Sequence, residues 1–240
     1  MSKPPKIDRK ILKTPDEFVQ KGTQILGSLS RSRLGLMPVL ALVGLLVIGF
    51  YAYDRWDESR EQKAWTDYYE ATKGSPEQKW EKLKAVHQKW PSSRAGMLCS
   101  VEVADHHFEN SKKEVGKESK KVSEESLLAV EWYTKALNSR HLQAIEKQLL
   151  LVNRGNAWEL QEKWDDSLAD YQLAESTSGP AKGLAQLSAA RVNEMKGATE
   201  KAIELYEKTS TDFAANEYGK LAKNHVRRLK SPLLNSKKGK

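Results

Sequence analysis

From Leu34 to Tyr53 the chain reads LGLMPVLALVGLLVIGFYAY, twenty residues without a charged side chain. At 1.5 Å rise per helical residue such a run spans about 30 Å, the thickness of a bilayer's hydrocarbon core. It predicts a single membrane-spanning helix over 34–53, in contact with lipid. Pro38 lies in the first turn, where a missing N–H is least harmful, and Tyr51, Tyr53 and Trp56 gather at the far end as an interfacial aromatic belt would. A cleaved signal peptide would carry a shorter apolar region and end in small residues, whereas this run has a 33-residue lead-in and exits through FYAYDRW.

Charge decides the orientation. Eight basic residues precede the span (Lys3, Lys6, Arg9, Lys10, Lys13, Lys21, Arg31, Arg33), and only Arg55, Arg60 and Lys63 fall in the stretch Asp54–Tyr68. The positive-inside rule then makes the N-terminus cytoplasmic and puts residues 54–240 across the membrane, which in a bacterium is the periplasmic side of the inner membrane. Within the arm 1–33, Thr14-Pro15-Asp16-Glu17 reads as a capped helix start, and Phe18, Gly22, Ile25, Leu26 and Leu29 share one face of a short amphipathic helix. The chain's formal net charge is +8, but the arm and the segment Arg227–Lys240 hold more than all of it, so the body is mildly acidic. That argues against a nucleic-acid partner, which needs basic residues grouped on a folded face.

The soluble part reads as all-α. Gly74-Ser75-Pro76, Pro91-Ser92, Ser178-Gly179-Pro180 and Gly197 punctuate segments of helical length, with Ser75 as an expected N-cap. No Asn-Gly or Asp-Gly hairpin turn occurs. Three segments share a small residue, an aromatic four positions on and a small residue three after that: Ala129–Tyr133–Ala136, Ser167–Tyr171–Ala174 and Ala202–Tyr206–Thr209. Their first members are 38 and 35 residues apart, and the i, i+4, i+7 spacing puts each trio on one helical face, where tyrosine fills the gap between closely approaching helices. Asn110–Glu125, a mixed-charge stretch, reads as a solvated loop inserted into the first of these units. Phe213, Tyr218, Leu221, Ala222, His225 and Leu229 are spaced for one closing amphipathic helix, and 231–240 reads as a disordered basic tail.

These trios resemble the second helix of the tetratricopeptide repeat, a helix–turn–helix unit. The fullest match joins Leu151, Gly155 and Trp158 of a first helix to Ser167, Tyr171 and Ala174 of a second; the next unit keeps Gly197 at its turn with Ala202 and Tyr206, but has Ala190 and Asn193 on its first helix. The resemblance implies a helical-repeat solenoid over 54–230. The layout of basic lead-in, one anchor and short repeat domain also resembles the YfgM-type family of bacterial inner-membrane proteins, most visibly in YAYDRWDESREQKAWTDYYEA, LKAVHQKWPSSRAGMLCSVEVADHHF and LLVNRGNAWELQEKWDDSLADYQLA. That resemblance implies an ancillary subunit of the Sec translocon, with the channel, a periplasmic chaperone or newly exported chains as partners. A scaffold subunit of another envelope complex is the alternative.

Nothing points to catalysis. His87, His106, His107, His141 and His225 are scattered, there is no HExxH, GxSxG, P-loop or GxGxxG, and Cys99 is the single cysteine, set in an apolar stretch. No enzyme activity, cofactor, metal or small-molecule substrate is expected. One ligand feature remains: in some tetratricopeptide domains asparagines placed like Asn153 and Asn156 join basic residues to clamp a peptide's C-terminal carboxylate. Arg191 is the basic companion available here, while Leu149 and Leu184 stand where other basic residues would.

Overall fold

The computed structural model describes residues 33–116, 119–177 and 179–231. The amphipathic segment expected before the span and the tail beyond Ser231 therefore lie outside the described residues. The chain divides into two compact units, Met1–Ser59 and Arg60–Lys240. Among the described residues the architecture is all-α, with helices α1 (Arg33–Thr72), α2 (Pro76–Lys89), α3 (Arg94–Glu114), α4 (Ser119–Leu137), α5 (Ala144–Glu159), α6 (Trp164–Ser176), α7 (Lys182–Met195), α8 (Thr199–Asp212) and α9 (Glu217–Lys230).

In the first unit, α1 carries the apolar run with its large side chains bare: Leu45, Ile48 and Phe50 are 67%, 66% and 74% exposed. It is the one helix among the described residues long and apolar enough to cross a membrane. The helix does not end with the apolar run at Tyr53 but continues to Thr72.

In the second unit, α3/α4, α5/α6 and α7/α8 are antiparallel hairpins stacked in chain order, α2 packs on α3, and α9 covers α8. This is a tetratricopeptide-like helical-repeat stack. Local chemistry marks its helix ends. The Ser93 hydroxyl accepts from the Gly96 N–H at 2.9 Å, Glu61 accepts the Arg94 N–H at 3.0 Å, and Asn216 caps α9 by accepting from the Tyr218 N–H at 3.0 Å. Ser75 stands at the N-cap of α2 as expected, but its side chain makes no cap bond; Pro76 at the first helical position supplies the start signal.

The stretch Asn110–Glu125 is not the expected loop. It lengthens α3 to Glu114 and starts α4 at Ser119, extending the hairpin beyond its neighbours. The alternating charges that suggested solvation instead pair along and across the helices, Lys112 with Glu109 at 2.7 Å and Lys121 with Glu114 at 3.3 Å. Ser111 and Val122 are buried there, and His107 Nδ1 lies 2.7 Å from Glu125. Phe213 also departs from its expected place, since it ends α8 and precedes α9.

The three tyrosines at the heart of the repeat, Tyr133, Tyr171 and Tyr206, are fully buried. So are Ala129, Ala136, Ser167, Ala174 and Ala202, which let the helices close up. Gly155 is required by packing, because a Cβ there would stand 2.6 Å from the Tyr171 ring. A clamp ties three helices together: Arg154 on α5 donates to both oxygens of Asp170 on α6 at 2.8 and 2.6 Å and to Thr134 on α4 at 3.0 Å. Gln148, fully buried, donates to the Ala174 and Thr177 carbonyls and accepts from the Ala181 N–H, joining the end of α6 to the start of α7.

The turns between paired helices repeat as well. Gly197, between α7 and α8, has φ 79°, and Glu162, at the matching place between α5 and α6, has φ 56°. A side chain in that left-handed region costs roughly 1–2 kcal/mol that glycine avoids, offset in part by glycine's larger unfolded-state entropy. Glu162→Gly is therefore expected to stabilise the protein by about 0.5–1 kcal/mol, raising the thermal midpoint by about 2 °C. A fall in the midpoint would show that Glu162 has a compensating role at the turn.

Candidate functional site

The first helices of the hairpins, α3, α5 and α7, share an inner face, and its register follows from the packing. Ala104, Gly155 and Ala190 are the buried small residues four to the C-terminal side of Ser100, Leu151 and Gln186. The next residue on each helix is then Asp105, Asn156 and Arg191, and the leucines Leu98, Leu149 and Leu184 fall seven positions before these. On this face the hydroxyls of the core tyrosines emerge. Tyr133 donates to Asp105 at 2.5 Å, Tyr171 donates to Asn156 at 2.7 Å and to Glu159, and Tyr206 donates to Glu194 at 3.2 Å. Burial is the main cause that pushes all three phenols above their usual range, so each remains a donor.

Arginines from the helix two further along the chain close two of these contacts. Arg191 of α7 donates to Glu159 at 2.7 Å and to Asn156 at 3.3 Å, and Arg228 of α9 donates to both oxygens of Glu194 at 2.6 and 2.7 Å. The structure thus brings Asn156 and Arg191 together, as the clamp expectation required, but Glu159 already occupies the place of a ligand's carboxylate. Asn153 stands apart from them, near the Tyr133 hydroxyl and beside Leu149 and Leu150. Glu159 was not among the expected residues; its link to Arg191 crosses two hairpins and has no local spacing to reveal it.

The other expected residues take structural places. Trp158 is half-buried against the core of the preceding hairpin, and Gly197 is exposed at its turn. Cys99 is fully buried, and burial pushes its thiol up to about 12, so it offers no thiolate near neutral pH. No group of three or more His, Cys, Asp or Glu among the described residues could hold a metal ion. His106 stacks on Trp80 at 3.9 Å while His107 turns to Glu125, so the two rings, 5.6 Å apart, engage different partners.

Between α3 and α5 the inner face opens into a cavity of about 200 Å³ lined by Met97, Leu98, Val101, Leu149, Leu150, Asn153 and Glu146. Leu149 is 44% exposed and Ile145, beside it, 51%. On the other side of α3 a second hollow is lined by Trp80, Glu102, Asp105, His106 and Glu109. Asp105 accepts from Tyr133, yet its carboxyl is raised above the usual range, first by burial and then by the negative charges of Glu109 and Glu102. These surfaces can bind side chains of a partner; they hold no nucleophile poised beside a base.

No family model matches this chain, and no curated protein matches it. Among solved structures it is similar to the crystal structure of a Podospora anserina kinesin light chain with nearly identical TPR-like repeats, at 13% identity and a TM-score of 0.49, over 75% of this chain and 86% of that one.

Proposed function

We propose that this protein is a non-catalytic, membrane-anchored protein-interaction module, tethered through the apolar segment of α1 and binding polypeptide partners on its hairpin stack. The observation that carries the reading is the presence in one chain of a helix whose apolar side chains are bare and of a repeat stack with an apolar cavity on its inner face. Bare leucines over a bilayer's length need lipid, and stacked hairpins build a continuous surface suited to extended partners. The basic residues before the span support a cytoplasmic N-terminus with residues 54–240 on the periplasmic side of a bacterial inner membrane. The layout shared with the YfgM-type family supports an ancillary role at the Sec translocon, with a periplasmic chaperone or exported chains as clients.

Photo-crosslinkers at Trp56 and Trp65 test this reading. Both positions follow the apolar run closely, and a short tether raises the local concentration of a weak binder to about millimolar. The expected result is capture of channel components, sharply reduced when residues 54–240 are released from the anchor. External protease on spheroplasts should digest that part and spare the N-terminal arm. Crosslinks confined to another envelope machine would replace the translocon assignment with a scaffold role, and protection of the large domain would reverse the topology.

A further inference from the structure

The tyrosine–carboxylate–arginine pattern on the inner face is complete twice and incomplete once. Glu159 and Glu194 each receive an arginine from the helix two further along the chain, Arg191 on α7 and Arg228 on α9. At Asp105 the pattern stops: the α5 residue that lies 35 positions before Arg191 is the neutral Asn156, and among the described residues no lysine or arginine pairs with Asp105. The neighbouring lysines are already engaged. Lys79 meets Glu102 at 2.8 Å and the exposed Lys112 meets Glu109 at 2.7 Å, leaving Asp105 between them with only a neutral phenol. One and two helical turns from Asp105 along α3, Val101 and Leu98 enter the apolar cavity shared with Leu149 and Leu150.

We infer that the α3/α5 part of the inner face takes an extended polypeptide segment carrying an aliphatic side chain and, two or three residues away, an arginine or lysine. This rests on the interaction-module reading above and names the chemistry of its partner. The aliphatic group enters the cavity of about 200 Å³ between Leu98, Val101, Leu149 and Leu150. The basic group meets Asp105 and completes the pattern that Arg191 and Arg228 complete elsewhere. The spacing follows from geometry. Val101 and Asp105 are four residues apart on α3, about 6 Å along its axis, and an extended chain advances about 3.3 Å per residue. Charge selects against acidic segments, which would approach the Asp105 carboxylate with like charge.

The test is panning of a phage-displayed random decapeptide library over the full-length protein in detergent. Enriched sequences are expected to pair Leu, Ile or Val with Arg or Lys two or three positions away. Asp105→Asn, which keeps an acceptor for Tyr133, should remove the basic preference while retaining the aliphatic one, and should flatten the salt dependence of a selected peptide. Leu149→Asp should weaken that peptide at least tenfold. No enrichment, acidic enrichment, or preferences unchanged in both variants would overturn the inference, as would self-association of the protein that competes with the library and makes a second copy the occupant. The crosslinking above is read from different positions, so loss of this specificity leaves the interaction-module reading standing on its own result.

Discussion

Tyr171→Ala is expected to destabilise the repeat domain by about 3–5 kcal/mol. The ring is fully buried between helices of its own hairpin, and Gly155 exists as glycine to admit it. Removing it leaves a cavity that the small neighbours Ala174 and Gly155 cannot fill, and it takes the hydroxyl away from Asn156 and Glu159. For a domain of this size the thermal midpoint should fall by about 10 °C, measured on the full-length protein in detergent. Tyr171→Phe keeps the packing and loses only the hydroxyl's bonds, so its cost should be near 1 kcal/mol. Equal midpoints for Tyr171→Ala and the parent would mean that the ring is not a keystone of the hairpin.

The second large effect concerns a charge. The Asp170 side chain is 7% exposed and depends on the two-pronged bond from Arg154. Arg154→Ala leaves a buried carboxylate without its cation and frees Thr134 as well, so a loss of about 3–5 kcal/mol is expected. The double variant Arg154→Met with Asp170→Leu removes both charges and should recover most of that loss. Chemical denaturation of the parent, Arg154→Ala and the double variant checks this. If the double variant is as unstable as Arg154→Ala, the clamp acts through packing and the link to Thr134 and not through charge.

Much of this stack is legible in the chain because its governing contacts are local. Tyr133, Tyr171 and Tyr206 repeat with small residues at one-turn spacings, and that rhythm alone orders the hairpins. The stretch Asn110–Glu125 misleads because mixed charge suits either a solvated loop or a helix whose turns pair Glu with Lys; buried Val122 and Ser111 decide for helix, and their burial depends on tertiary packing. The first full hairpin hides its register for a related reason. Its close-packing position carries Ala104 in place of glycine and its preceding large position carries Ser100, so the familiar signature is absent although the geometry is kept. The candidate clamp shows the limit most clearly. Asn156 and Arg191 are recognisable by spacing, but Glu159, which accepts from Arg191, enters only when two hairpins stack.

The core of the stack is laid down in three separate pools, and this has a mechanical meaning. The first runs from Ala71 through Ala157, the second from Leu151 to Val192, and the third consists of Ala190, Ala202, Tyr206 and Ala222 with a few half-buried neighbours. A load applied between residues 60 and 230 passes through these pools in series, so the weakest yields before the others feel the strain. The smallest pool is the last, where three alanines and one tyrosine hold α9 to the preceding hairpin with help from Arg228. A yield at α9 would be confined to the last pool and would leave intact the α3/α5 cavity, which is built in the first.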